Sequence, residues 1–312
     1  MKLFKFLLVI LIFFSSFFNS GCSRYKLYNT AVNIQRKSAD LSEKTASISA
    51  GDIKYLDNFT KNKKKRTHDI IIMLHGFGAD KDNWLEFAGE LTDDYMIIIP
   101  DLPGHGESFS NMSYTYSLKN QAEWIYEFME ALTIEKAHII GSSMGGAISA
   151  ELTYRHPEKI ISLGLMNSAG PVKTESEFQR LLKKGENPLI ASNMEEFEYM
   201  LDFVMEKRPY IPGPILKVLA EKKIERKEKD NKIFKDFSKD LNNINNIFGS
   251  INVPALIIWG DKDRVLHPDN AYKFHEKLSN SKVVILEDTG HLPMLEIPEK
   301  TSAVYKEFVS SF

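Results

Sequence analysis

The stretch His138-Ile139-Ile140-Gly141-Ser142-Ser143-Met144-Gly145-Gly146-Ala147-Ile148-Ser149-Ala150 decides the fold. His138–Ile140 reads as strand, Gly145–Ala150 is a run of small residues suited to a tightly packed helix, and Gly141–Gly145 between them carries the pattern G-x-S-x-G. Strand, tight turn and helix in that order form a nucleophile elbow. Small residues must flank Ser143 because the backbone turns sharply and the strand passes close to the helix. Such a turn lifts Ser143 Oγ above the sheet, where a helix N-terminus favours developing negative charge. The pattern recurs by chance in many chains. Its meaning depends on a base, an orienting acid and a second N–H donor placed elsewhere in the right order.

Working outward, Ile70–Leu74 is a fully apolar run of the kind buried on both faces of a parallel sheet. It ends at His75-Gly76-Phe77-Gly78. A helix is expected from Asp80, with Trp84, Phe87, Ala88 and Leu91 at helical spacing. Met96–Ile99 reads as another buried strand, running into the turn-rich Pro100–Ser108. Ser117–Leu132 reads as a helix with Ser117 as its N-cap. Strand Ile160–Met166 follows the elbow helix. Alternating apolar strands and helices imply a mostly parallel sheet covered by helices.

The rhythm breaks at Pro171 and resumes at Pro254–Trp259 (strand), Pro268–Leu278 (helix), Lys282–Leu286 (strand) and Pro298–Phe312 (helix). The intervening block has amphipathic Met194–Met205, prolines at 209, 212 and 214, helix-like Ile215–Ile224, and a charge-dense Glu225–Lys232 expected to be solvated. The expected division is a lipoprotein-type signal at 1–21, a tether or weak amphipathic helix at 22–50, the first part of an α/β core at 51–170, a helical cap at 171–250 and the rest of the core at 251–312. Asp52–Asp57 is expected as the first strand, and Lys61–Arg66 as a solvated hairpin turn, with attraction to anionic headgroups as the sharper reading.

Three loops fall at the carboxyl ends of strands, the edge where α/β sheets bind ligands. They are His75–Gly78, Trp259-Gly260-Asp261-Lys262-Asp263 and Thr289-Gly290-His291. With Ser143 they supply serine, acid and histidine in that chain order. A hydroxyl is a poor nucleophile unless its proton leaves as it attacks, so His291 is the candidate base. Asp263 is the favoured acid to orient it, with Asp261 as competitor in the D-x-D spacing. Backbone N–H groups of Phe77 and Met144 are the candidate oxyanion donors. The other histidines carry blander readings. His68, His156, His267 and His275 suit the surface, His138 suits a structural place, His75 shapes its loop, and His105 belongs to a glycine-rich turn. Asp101 suits a structural role in its turn, and Asn167–Gly170 after the Ile160–Met166 strand holds no carboxylate.

Charge and the N-terminus bound the remaining choices. A net charge of −2 offers nothing to nucleic acid, and neither G-x-G-x-x-G nor a P-loop is present, so no nucleotide is implied. No cluster has metal-ligand spacing, and neither metal nor cofactor is expected. Met1–Phe18 carries Lys2 and Lys5 before an apolar run, as secretory signals do. Asn19-Ser20-Gly21-Cys22-Ser23 resembles a bacterial lipobox, with Asn19 where an aliphatic residue is usual. That resemblance implies lipidation of Cys22, the chain's single cysteine, and an exported, membrane-anchored lipoprotein of the outer membrane or periplasm. The competing reading is an ordinary signal or uncleaved anchor.

H-G-F-G-A-D-K-D-N-W (75–84), D-L-P-G-H-G-E-S (101–108), G-S-S-M-G-G (141–146), W-G-D-K-D-R-V-L (259–266) and G-H (290–291) together resemble the α/β-hydrolase superfamily, within it bacterial lipases and monoacylglycerol lipases. The resemblance runs from Ile70 to the C-terminus. It implies an α/β-hydrolase fold with a helical cap, hydrolysis of carboxylic esters such as acylglycerols, and no cofactor. Phe197, Met200, Leu201 and Ile215 are then expected either to line an acyl pocket or to pack between cap helices. The alternatives are a C–C bond hydrolase or perhydrolase on the same triad, or an inactive surface lipoprotein.

Overall fold

A computed structural model describes residues 21–59, 69–241 and 244–312. Its organising element is an eight-stranded sheet of order β1-β2-β4-β3-β5-β6-β7-β8. The strands are β1 (Ser42–Ile48), β2 (Gly51–Asp57), β3 (Ile70–Leu74), β4 (Met96–Pro100), β5 (Ala137–Ser142), β6 (Ile160–Met166), β7 (Ala255–Gly260) and β8 (Ser281–Leu286). β1 and β2 form an antiparallel hairpin whose second strand runs antiparallel to β4, and every pairing from β4 through β8 is parallel.

The parallel strands are apolar on both faces because helices cover both. Their side chains alternate between two cores, as the strand period of two requires. Ile72, Leu74, Ile139, Leu163, Leu165, Ile257 and Trp259 face one core, with Ile125 and Phe128 of α3 (Leu118–Ala131) and Ile148 of α4 (Met144–Arg155). Ile71, Met73, Ile97, Ile140 and Ile258 face the other, with Phe87 of α2 (Leu85–Gly89) and Tyr305 of α11 (Pro298–Val309). Emptying one such position costs about 2–5 kcal/mol, so the two layers hold the strand ends in register.

Caps place the helices as expected at two points. Ser117 Oγ accepts from Asn120 N–H to start α3, and Asp80 accepts from Asp82 N–H to start the 3₁₀ turn Lys81–Trp84 that leads into α2. Trp84, Phe87, Ala88 and Leu91 are all fully buried.

The N-terminal part departs from expectation. Helix α1 spans Gly21–Ser38 and β1 lies inside the stretch read as a tether, so the sheet begins at Ser42. β1 escapes detection because it is an edge strand of mostly polar residues, SEKTASI, with only Ala46 buried. β2 is thus the second strand, paired with β1 and β4 and not with β3. α1 is fixed to the rest of the chain: Arg36 Nε and Nη2 bond both carboxylate oxygens of Asp82 at 2.7 Å. All but the last residue of the expected signal (1–21) and the basic run Lys61–Arg66 lie outside the described residues, as does the Cys22 side chain.

Between β6 and β7 the chain forms α5 (Glu177–Lys183), α6 (Met194–Val204), α7 (Gly213–Glu225) and α8 (Lys227–Asp240), with no strand among the described residues. Glu225–Lys232 ends α7 and begins α8, and most of it is at least partly exposed as expected, but its Asp230 is fully buried. The charges tolerate burial because they pair with one another, Lys223 and Arg226 both bonding Asp230. The remaining helices, α9 (Asn270–Lys277) and the short α10 (Pro293–Glu296), flank β7 and β8.

Candidate active site

Ser143 is the single residue between β5 and α4, with φ 53° and ψ −118°, on the side of the backbone map that non-glycine residues avoid. Strain of about 1–3 kcal/mol at such a residue persists only when its surroundings hold it. Here they do. Ser143 N–H donates to Met166 O at 3.0 Å, and Ser143 O accepts from Gly146 N–H and Ala169 N–H, both at 3.0 Å. A Cβ on Gly145 would lie 2.3 Å from Leu74 O, and one on Gly141 2.1 Å from Gly145 O. Glycine at these places lets β3, β5 and α4 meet at contact distance. The loop after β3 lies over the serine, since a Cβ on Gly76 would be 3.3 Å from Ser143 Cβ.

The candidate acid and base are joined. His291 Nδ1 bonds Asp263 Oδ2 at 2.8 Å, with both side chains buried. A carboxylate acceptor there fixes the proton on Nδ1 and leaves Nε2 as the basic nitrogen. Asp263 is itself held by three further donors. Val265 N–H and Leu266 N–H reach Oδ1 at 2.8 and 3.0 Å, and Asn167 Nδ2 reaches Oδ2 at 2.7 Å. Asp261 is placed differently: it bonds Thr289 N–H and pairs with Lys262, its side chain partly exposed. Those two partners draw its pKa down against the opposing pull of burial.

One candidate oxyanion donor, Met144, follows Ser143 in the chain, and the other, Phe77, follows Gly76, which lies against Ser143. Met144 opens α4, so its N–H has no intrahelical acceptor. Among the described residues neither this N–H nor that of Phe77 is taken by a carbonyl outside its own helix. His75 braces the Phe77 loop. Its Nδ1 bonds Gly76 O at 2.8 Å and its Nε2 accepts from Leu102 N–H at 2.9 Å, so the ring is neutral and has no free nitrogen for proton transfer. Burial lowers its pKa to about 4.

The fold and this geometry agree with what similarity finds. The α/β-hydrolase-fold family matches residues 69–298, most of the chain. The chain belongs to the α/β-hydrolase family. It is similar to Lipase 3 of Moraxella sp. (strain TA144), 35% identical over 284 residues, with 89% of this chain and 87% of that protein covered. It is also similar to a monoacylglycerol lipase of Mus musculus, 33% identical over 253 residues, covering 77% and 75% of the two chains. Among solved structures it resembles a bacterial membrane phospholipase A, with a TM-score of 0.88, 34% identity, and 100% and 99% of the two chains covered.

Two residues of this hydrolase that sequence reasoning missed hold its site together. Asn167, with φ 43°, stands at the end of β6 where the sequence showed only that a carboxylate was lacking. Its Nδ2 also reaches Gly290 O at 3.3 Å, linking the acid to the histidine loop. Glu296, at the end of α10, accepts from Gly290 N–H at 3.0 Å and Leu292 N–H at 3.3 Å, flanking the base. It accepts as well from Glu206 N–H at 2.8 Å and Lys207 N–H at 2.9 Å, just after α6. His291 N–H donates to Val204 O at 2.8 Å, so the base is tied directly to the helical insertion. A lone acid between Pro293 and Pro298 is the only trace Glu296 leaves in the sequence.

Of the four insertion residues expected either to line an acyl pocket or to pack between cap helices, three take the packing role. Phe197, Met200 and Leu201 pack with Ala220 inside the insertion. Ile215 is half-buried and belongs to none of the buried cores. Phe234 of the insertion lies edge-to-face with Phe77, ring centroids 5.6 Å apart, and Phe178 lies edge-to-face with Phe234 at 6.0 Å. Several of the other expected roles take concrete form, while His68 lies outside the described residues. Asp101 accepts from the backbone and Nζ of buried Lys81, and His138 bonds Ser162 Oγ at 2.7 Å. His156 stacks on Tyr126.

Two outcomes are expected. Asp263→Asn should lower kcat of ester hydrolysis by up to about 10⁴-fold, while Asp261→Asn stays within a few-fold, in steady-state assays of both variants. The reverse ranking would transfer the acid role to Asp261. Second, burial keeps His75, His105 and His138 less basic than free histidine. Below about pH 6.5 the unfolded chain takes up protons that the folded chain refuses, so stability is full above that pH and falls as pH drops towards 4. Urea midpoints should decline steadily from pH 7 to 5, and a flat profile would contradict the neutral assignment.

Proposed function

We propose that this chain is a serine hydrolase that cleaves carboxylic esters of apolar acyl groups, acylglycerols foremost, through an acyl-enzyme on Ser143. The observation that carries this reading is the 2.8 Å bond between Asp263 and His291 at the sheet edge where the strained Ser143 stands.

The steps follow from the groups present. Ser143 Oγ attacks the ester carbonyl carbon while its proton passes to His291 Nε2. The carbonyl oxygen becomes an oxyanion that Phe77 N–H and Met144 N–H would receive, a contribution of about 3–4 kcal/mol for each donor. Asp263 stabilises the imidazolium without taking its proton. Collapse breaks the ester C–O bond, and the alcohol leaves with the proton from His291. A water molecule, deprotonated by His291, then attacks the acyl carbon and releases the carboxylic acid and Ser143.

The apolar surroundings support an apolar acyl group. Phe77, Phe178 and Phe234 cluster beside the loop over Ser143. Similarity to lipases, to a monoacylglycerol lipase and to a membrane phospholipase A supports a glycerol ester. Export and a lipid anchor at Cys22 fit such a substrate, and this part of the proposal rests on the signal-like Met1–Phe18 and the Gly21-Cys22 junction. Among the described residues no helix is long and apolar enough to cross a membrane.

Ser143→Ala should abolish hydrolysis of mono-, di- and triacylglycerols of graded chain length, followed by fatty-acid release. Unchanged turnover would sink the serine mechanism. Wild-type protein inert to every ester but active in carbon–carbon cleavage would favour that chemistry instead. For the anchor, fatty-acid labelling of the protein in cells is expected to vanish in Cys22→Ala, and a persisting label would remove lipidation from that residue.

A further inference from the structure

A buried charge cluster lies outside the catalytic groups. Lys223 of α7 is enclosed, and its Nζ bonds Asp230 Oδ2 of α8 at 2.9 Å. Arg226 bonds Asp230 Oδ1 through Nε and Nη2 at 3.1 and 2.9 Å, and its Nη2 also reaches Gly104 O at 3.2 Å. Burying ion pairs is a poor route to stability, because desolvation offsets most of the attraction. What the cluster touches accounts for it better. Lys223 Nζ lies 5.2 Å from the Phe77 ring centroid, in cation–π range. It also occupies the space beside Gly78, where a Cβ would lie 2.0 Å from Nζ. Gly78 has φ +68°, a conformation suited to glycine, and the ammonium fills the room that the missing side chain leaves.

We propose that Lys223 is a positioning residue for the oxyanion loop: held by Asp230 on the insertion, it clamps Phe77–Gly78 so that the Phe77 N–H is aimed for transition-state binding. This rests on the ester-hydrolase reading above. Phe77 is gripped on three sides, by Lys223, by the edge of Phe234 and by His105 at 6.2 Å. Two of the three belong to the insertion, so docking of the insertion and assembly of the oxyanion hole are one event. A positive charge beside the Phe77 loop also favours an oxyanion there. Burial draws the Lys223 pKa below that of an ordinary lysine and Asp230 opposes the shift, so the charge depends on Asp230.

α8 is built to hold this arrangement rigid. Its Asp236 accepts from Tyr116 N–H at 3.1 Å and its Asp240 from Leu118 N–H at 2.8 Å, pinning the helix to the start of α3. Ile233 packs against Gly104.

The test uses Lys223→Met, which keeps the stem and removes the charge, on the full chain with 4-nitrophenyl butyrate. Expected are a fall in kcat of about 10- to 100-fold, smaller than loss of a whole donor, and KM within about threefold of wild type. A trifluoromethyl ketone, which forms a tetrahedral adduct on serine, should lose affinity in the same proportion as kcat/KM. Lys223→Arg, retaining the charge, should recover part of kcat. If Lys223→Met does not fold, the double variant Lys223→Met, Asp230→Asn removes both buried charges and should show the same fall. Unchanged kcat in a folded variant, or a rise in KM alone, would overturn the proposal while leaving ester hydrolysis intact. Wild type without esterase activity would overturn the ester reading and this one with it.

Discussion

A single carboxylate holds the site in one piece. Asp263 receives N–H groups from its own loop, from Asn167 at the end of β6 and from His291 after β8. Each donor arrives from a different part of the sheet edge, so the bond set closes only when β6, β7 and β8 lie side by side. Their order in the sheet provides this. Charge-assisted hydrogen bonds are the strong ones, and four on one buried side chain leave it no alternative orientation. The base inherits that rigidity through Nδ1, and the serine inherits it through Met166, the last residue of β6, which accepts the Ser143 N–H.

The helical insertion belongs to this frame as much as the sheet does. One end of α6 binds the histidine loop through Val204 and, via Glu296, through Glu206 and Lys207. α8 is bound to α3 and, through the Arg226–Asp230 pair, to Gly104. Closure over an active site is usually a motion of loops. Here the anchored points are α8 and the end of α6. Gly185 and Gly213, on segments outside those anchor points, have no atoms within 4 Å of a Cβ position.

How much of this was legible depended on what kind of contact carried the information. The parallel strands are runs such as Ile70–Leu74 and Ala255–Gly260, whose two-sided burial writes itself into composition. Ser143, Asp263 and His291 stand out as candidates because each follows such a run, a purely local signal. β1 was missed because an edge strand needs few apolar residues, and its pattern resembles a linker. Glu225–Lys232 is largely solvated as read, and only the burial of Asp230 was missed, because a charge run does not show which of its members is paired. Asn167, Glu296 and Lys223 carry no local signature. Asn167 bonds Asp263 96 positions away, Glu296 accepts from Glu206 N–H 90 positions away as well as from nearby Gly290 and Leu292, and Lys223 lies against Phe77; the long-range contacts come together only after the sheet and insertion have assembled.

Helix α1 acts as a lever. It runs 18 residues, about 27 Å at 1.5 Å per residue, and passes into β1 through only Ala39, Asp40 and Leu41. Along its length Arg36 grips Asp82, Tyr28 meets Lys222 and Arg24 meets Glu221, so both ends are fastened, one beside the loop over the serine and the other on α7. A surface that holds the chain at the start of α1 would therefore be joined to α7 and to the Asp82 turn through a fastened helix. Lengthening α1 by one residue would rotate that attachment by about 100° about the helix axis, whereas a slack linker of the same length would absorb the change.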